Sequence, residues 1–255
     1  MPEQQFRGIT AVMPSSSVVA GLAEQSPARH RSSPLQNSAL FTNISQSDRS
    51  QIVAAAQERT FSRRQTLFLE GDTVRNIILL TSGCAKILQF GQNGTEVILR
   101  LSGPGEVVGT IGLCVQGRHC SMARTLNAAT ALVWDASVFE TISDRFPTLR
   151  RNTMHILCQR LHELEERFRE ISTEKVSSRL SNELIRLHNQ VGRPVKGAIE
   201  ISLSRDEMAQ MTGTTLYTVS RLLSEWDQMG IVSARREAVS VLNLQALQEL
   251  ADGGE

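Results

Sequence analysis

Apolar residues recur along this chain with different periods, and each period predicts a different kind of element. Between Thr60 and Asp135 they come in short β-prone runs: Thr66 to Leu69, Ile77 to Leu80, Ala85 to Phe90, Glu96 to Leu101 and Ala131 to Trp134. Glycines at 71, 83, 91, 94, 103, 105, 109, 112 and 117 punctuate them, and many short strands with glycine-marked turns predict an antiparallel barrel or sandwich. Gln92-Asn93-Gly94 reads as a hairpin turn, because Asn and Gly accept positive φ readily. After Pro147 the period lengthens. Met154, Leu157, Leu161, Leu164, Phe168 and Ile171 are spaced 3, 4, 3, 4, 3 and flanked by charges such as Arg160, Glu163, Glu165, Glu166 and Arg167. That is an a/d seam, narrow enough to pair with one other helix; packing on the chain's own β domain is the alternative. A further amphipathic helix is predicted over Ser172 to Asn189, ended by Val191-Gly192-Arg193-Pro194. Ahead of the β region, Leu35 to Arg59 suggests a helix or two. Residues 1–33, rich in Ser, Pro, Gln and Ala without a sustained period, read as a disordered tail.

The C-terminal pattern carries the candidate chemistry. Ser204-Arg205-Asp206-Glu207 is a capping box that opens a short helix to Met211. Thr212-Gly213-Thr214-Thr215 then supplies a glycine for a sharp bend and a threonine to cap the next helix, the spacing of a helix-turn-helix. In that second helix, Thr215 to Met229, Val219, Leu222, Leu223 and Trp226 lie at i, i+3, i+4 and i+7 on the buried face. Tyr217, Ser220, Arg221 and Ser224 stand opposite, on the face expected in the major groove of double-stranded DNA. Arg221 can hold guanine O6 and N7 with two parallel hydrogen bonds. Ser220 can meet a base edge, Tyr217 a thymine methyl or a phosphate, and Thr215 and Thr218 phosphates. Ile231 to Ala234 and Ala238 to Leu242 make a two-stranded wing whose tip, Arg235-Arg236, suits backbone phosphates. A β-domain sensor whose helical C-terminal part binds a protein partner is the competing reading.

Bulk composition neither adds to nor removes from this picture. The 255 residues carry a formal net charge of +1, and residues 173–255 hold nine Lys/Arg against eleven Asp/Glu, so the case for DNA rests on local placement. No stretch approaches the roughly 20 apolar residues of a membrane span, and no compact signal sequence opens the chain; a cytoplasmic protein is expected. Cys84, Cys114, Cys120 and Cys158 are scattered without a CxxC, as reduced thiols and not as a disulfide or metal framework. No nucleophile elbow, P-loop or HExxH occurs, so no enzyme is expected and no metal site is assigned.

The order of these parts resembles the CRP/FNR family of bacterial transcription regulators over about residues 35 to 250. Leu203 to Ile231, LSRDEMAQMTGTTLYTVSRLLSEWDQMGI, carries the resemblance most specifically, and GEVVGTIGL at 105–113 is similar to the family's phosphate cassette. The resemblance implies an α+β chain: residues 34–146 form a cyclic-nucleotide-binding-like β-roll, 147–172 a dimerisation helix and 173–252 a winged helix-turn-helix. It also implies a homodimer on a two-fold symmetric DNA site; many members are activators that touch RNA polymerase, and whether this chain activates or represses is left open. Departures from the family limit what transfers. The ribose-holding glutamate and the phosphate-holding Arg-Ser pair of cyclic-AMP-binding members correspond here to Thr110 and Cys120-Ser121, and Leu164-Glu165 stands where those members place hydroxyls for adenine. A buried phosphate lacking its arginine is poorly compensated, which argues against cyclic AMP. The effector is left unassigned, with Thr110, Cys114, His119, Cys120 and Ser121 as candidate contacts. The GTTLYTVSRLLSEWDQ wording is similar to a nitrogen-oxide-responsive branch, which brings in haem as an alternative, with His119, His155 and His162 as candidate axial ligands. Many members place a base-reading glutamate where this chain has Tyr217, so the operator sequence does not transfer.

Overall fold

The computed structural model describes residues 34–109, 117–195 and 197–253. The expected tail over 1–33 and the cassette residues Thr110 and Cys114 lie outside the described residues. After a 3-10 turn at Ala39–Phe41, α1 (Gln46–Ala54) starts where the Ser45 hydroxyl accepts from the Asp48 amide. Among the described residues eight strands follow: β1 (Gln57–Phe61), β2 (Thr66–Phe68), β3 (Asn76–Ser82), β4 (Ala85–Phe90), β5 (Glu96–Ser102), β6 (Val107–Val108), β7 (Met122–Thr125) and β8 (Ala129–Asp135). They form two antiparallel four-stranded sheets, β1-β8-β3-β6 and β2-β7-β4-β5.

The apolar run of β3 explains how the roll is layered. Successive side chains leave a strand on opposite faces. Ile78 and Leu80 therefore enter the core between the sheets, with Phe68, Ile87 and Val133. Ile77 and Leu79 face outward into a second core built with Leu40, Ile52, Trp134, Phe139 and Leu149. A strand buried on both faces reads as a continuous apolar run. Trp134 closes the outer core by donating its indole N–H to the Ile52 carbonyl at 2.8 Å. The β4–β5 hairpin turns through Gly94 at φ 78°, with Gly91 N–H donating to Thr95 O at 2.9 Å, as the Asn-Gly signal predicts.

Three elements differ from the sequence expectation. Helix was expected as far as Arg59, but α1 ends at Ala54 and residues 57–61 are an edge strand paired to β8. Gln57-Glu58-Arg59-Thr60 is exposed, so nothing apolar marks its register. The helix expected from Ser172 starts later. α2 (Ala136–Arg145) leads into α3 (Pro147–Thr173), with Pro147 at the first helical turn, where a missing N–H costs nothing. Glu174 and Lys175 are extended before α4 (Val176–Gln190). No Gly or Pro marks this break. Glu174 is instead held by Arg169 at 2.8 Å and by Asn182 at 3.2 Å. Finally, Arg193–Val195 (β9), where Val191-Gly192-Arg193-Pro194 was expected only to end the helix, and Ala198–Ile201 (β10), where no element was expected, extend the wing into a sheet.

The head then runs α5 (Arg205–Thr212), α6 (Leu216–Gln228), β11 (Val232–Ala234), β12 (Val239–Val241) and α7 (Leu244–Ala251), with sheet order β11-β12-β10-β9. Its core, with Leu184, Met208, Leu223 and Trp226 at the centre, is continuous with Cys84, Ile98 and Leu101 of the roll. No helix among the described residues is long and apolar enough to cross a membrane.

Candidate DNA interface and effector seat

The reading head is set by local signals that satisfy its helix ends. Ser204 and Glu207 form a complete capping box, Glu207 N–H to Ser204 Oγ at 3.2 Å and Ser204 N–H to Glu207 Oε2 at 3.0 Å. α5 stops at Gly213, whose φ of 63° is left-handed and disfavours a Cβ. Thr215 then caps α6, its hydroxyl accepting from the Thr218 amide at 3.2 Å. Orphan amides at helix starts need such acceptors, so the bend and the direction of α6 are both fixed. Val219, Leu222, Leu223 and Trp226 are buried, as the periodicity predicts.

The opposite face presents the expected residues, with one addition. Tyr217 is 78% exposed, and Arg221 and Ser224 are also exposed. Arg221 lies 3.5 Å from Glu225 one turn on, an exposed contact that leaves its guanidinium reachable. Ser224 donates its hydroxyl to Ser220 O at 2.8 Å, and the Thr215 and Thr218 hydroxyls are 2.9 Å apart. Leu216, at the first helical position, is half exposed beside Tyr217. Leu216 is absent from the reading face expected from sequence, and its offset from the buried i, i+3, i+4 set is the signal that marks it as outward-facing. At the wing tip Arg235 is engaged by Glu200 at 2.7 Å, whereas Arg236 is exposed.

The seam residues of α3 divide. Met154, Leu161, Leu164, Phe168 and Ile171 are exposed, Phe168 by 73%. Leu157 is half-buried and, with Leu164, borders a cavity of about 200 Å³ between α3 and the roll. Ser121 borders it too, but His119 does not: it stacks flat on Phe68 at 3.6 Å beside another cleft, and Cys120 is exposed. Burial holds the His119 pKa below its ordinary value. His155 and His162 are exposed on α3.

Arginines dominate this seat, and the sequence reading did not find them. Arg160 and Arg167, taken as flanking charges of the seam, turn toward the roll. Arg160 donates to Gly109 O at 2.6 Å and to Val107 O, Arg167 to Leu99 O, and Arg100 of β5 to Gly109 O at 3.3 Å. Burial, reinforced by the like charge of Arg100, brings the Arg160 pKa down to about 9. Glu106 sits beside them with its pKa raised by burial, and accepts from Gln190 of α4 at 3.0 Å. The guanidinium charge missing at Cys120-Ser121 thus enters from β5 and α3, where it ties the cassette strand to the long helix.

Two family profiles match the chain, the cyclic nucleotide-binding domain over residues 58–146 and the Crp-like helix-turn-helix domain over 178–250. The chain belongs to the CRP/FNR family of transcription regulators. The regulator is 24% identical over 220 residues to a CRP-like cAMP-activated global transcriptional regulator of Mycobacterium tuberculosis, covering 85% of this chain and 98% of that protein. Its fold is similar to FixK2 from Bradyrhizobium japonicum, with a TM-score of 0.68 at 20% identity over 76% of this chain and 96% of that one. It is also similar to CooA from Carboxydothermus hydrogenoformans, with a TM-score of 0.62 at 24% identity over 79% and 90%.

Proposed function

We propose that the regulator is a homodimer that reads a two-fold symmetric DNA site with α6 and contacts RNA polymerase when bound. The observation that carries this reading is the pairing of a rigidly capped α6, exposing Tyr217 and Arg221, with an exposed a/d stripe on α3 that would set two such helices at a fixed distance. Half-sites about one helical turn, roughly 34 Å, apart follow. The roll senses a signal other than cyclic AMP held in the family's usual manner. Two features support this: Arg100 and Arg160 are already engaged by backbone carbonyls, and the 200 Å³ seat is smaller than the roughly 300–1,000 Å³ of ordinary ligand pockets.

Selection from a random duplex pool tests the reading. Wild-type protein should enrich a palindromic motif. A good bidentate arginine contact contributes about 1–3 kcal/mol of discrimination, so Arg221→Ala should lose preference for that motif over random DNA by about 5- to 150-fold per half-site while keeping its fold. Enrichment of no motif would favour a head that binds a protein partner.

A further inference from the structure

The head is docked on the roll by more than apolar contact. Met208 of α5 and Leu223 of α6 share a core with Cys84, just ahead of β4, and with Ile98 and Leu101 of β5. Beside that junction Lys86 of β4 is buried, 8% exposed. Its ammonium meets Glu96 of β5 inside the roll and lies 3.7 Å from Glu207 of α5 across the junction. Arg124 of β7 lies 3.6 Å from the other oxygen of Glu96. In this cluster the roll therefore brings two cations to one carboxylate, and the head supplies a second.

Glu207 is divided between two tasks. Its Oε2 accepts from the Ser204 N–H at 3.0 Å and from the Ser204 hydroxyl at 2.9 Å, the contacts that cap α5. Its Oε1 is the atom that faces Lys86. One carboxylate thus fixes where α5 begins and ties that point to the roll. α5 and α6 pack in one core and are joined by the short bend at Gly213, so the direction of α6 follows that of α5. A pair this poorly exposed to water is also screened far less by salt than a surface pair, and the tie holds where surface pairs fade.

We propose that Lys86 is a positioning residue for sequence reading, an inference that rests on the DNA-binding reading above. It holds the start of α5 against the roll through Oε1 of Glu207 and so sets the angle at which α6 enters the groove, without itself touching DNA. The roll in this way takes part in discrimination between sequences and not in attraction to the phosphate backbone.

Three variants test this: Lys86→Met, Glu207→Gln and the two combined, each measured against the selected motif and against random duplex of equal length. Arg124 still meets Glu96 when Lys86 is replaced, and Gln serves at the third position of a capping box as Glu does, so each single change breaks the tie and spares the cap. Each single variant should lose preference for the motif by about 10-fold, within the range of couplings between residues in contact, and the double should lose no more than either. Affinity for random duplex should stay at the wild-type value. So should the slope of log K against log salt, which would fall by about 1.8 in a dimer if Lys86 met a phosphate in each protomer, at about 0.9 per contact. Glu207→Gln decides alone where Lys86→Met does not fold. For a folded variant, loss of both affinities in equal proportion marks a merely structural role and overturns the proposal, as do full motif preference, a lowered slope, or losses that add in the double variant. Failure of the wild type to enrich any motif overturns the DNA-binding reading itself, an outcome separate from these.

Discussion

Single residues in this regulator act mainly through what surrounds them. Cys84 sits where the roll meets the head, and burial, with the charge of Glu106 second, pushes its thiol from 9.0 up to about 12. The neutral thiol is a poor nucleophile. At about pH 8 a thiol reagent should modify the exposed Cys120 and Cys158 and leave Cys84 intact until the protein unfolds, which peptide mass spectrometry would show. The same burial has a stability consequence of definite sign. A folded pKa raised above the unfolded one gives stability that is complete below the unfolded pKa and is lost as pH rises through the folded one. The urea midpoint should therefore sag between about pH 9 and 12 partly on account of Cys84, and Cys84→Ala should lessen that sag. Gly213 is the opposite kind of residue. Nothing lies within 4 Å of a Cβ placed there, yet its φ is 63°. Gly213→Ala should thus cost only the backbone strain, about 1 kcal/mol, and a loss several times larger would mean that the bend between α5 and α6 is closed by something other than φ.

At the scale of elements, the joint between α3 and α4 is an ionic weld. Arg186 grips Glu170 at 2.7 and 2.9 Å and Glu183 at 2.7 Å, and Arg167 reaches Glu183 at 3.2 Å. Glu183 is only 2% exposed. Desolvation works against the charge on Arg186, but its bonds to Glu170 and Glu183 outweigh that and raise its pKa. Removing one member of a buried ion pair strands the other, at about 3–5 kcal/mol, so Arg186→Ala should lower unfolding free energy by that order in urea titrations. Loss of under about 1 kcal/mol, the range of exposed pairs, would show the weld to be solvent-relaxed. Such pairs explain what the sequence did and did not disclose. Elements with their own period or cap were legible: the a/d helix, the capping box, the Asn-Gly hairpin and the IILL strand. β1, β9 and β10 were not, because their side chains are largely exposed or half-buried and their register comes from partners distant in sequence. The turn toward the roll of Arg160 and Arg167 was equally hidden, since a heptad pattern says which face is apolar and not which flank meets another sheet.

The whole molecule couples these joints in series. The cassette strand is tied to α3 by Arg160, to α4 through Glu106 and Gln190, and the roll reaches α5 where Lys86 lies 3.7 Å from Glu207, the capping residue. These contacts join the roll to both the seam helix and the helix-turn-helix. In the proposed dimer the seam is the element that turns one head into two. Its five exposed apolar side chains are about half uncovered, and full burial of such a side chain is worth about 1.5–3 kcal/mol, so pairing would add roughly 4 to 7 kcal/mol per chain. Charges at two adjacent seam positions should cancel most of that gain. Leu161→Arg with Leu164→Arg is expected to halve the mass measured by sedimentation equilibrium and to leave the far-ultraviolet circular dichroism unchanged, since both side chains are more than half exposed on α3. DNA affinity should fall much further than the mass, because two half-sites read independently lose the effective concentration that a fixed spacing supplies. If the double variant kept the wild-type mass, the stripe would not be the dimer contact, and the spacing of the two α6 helices would have to be set elsewhere on the chain.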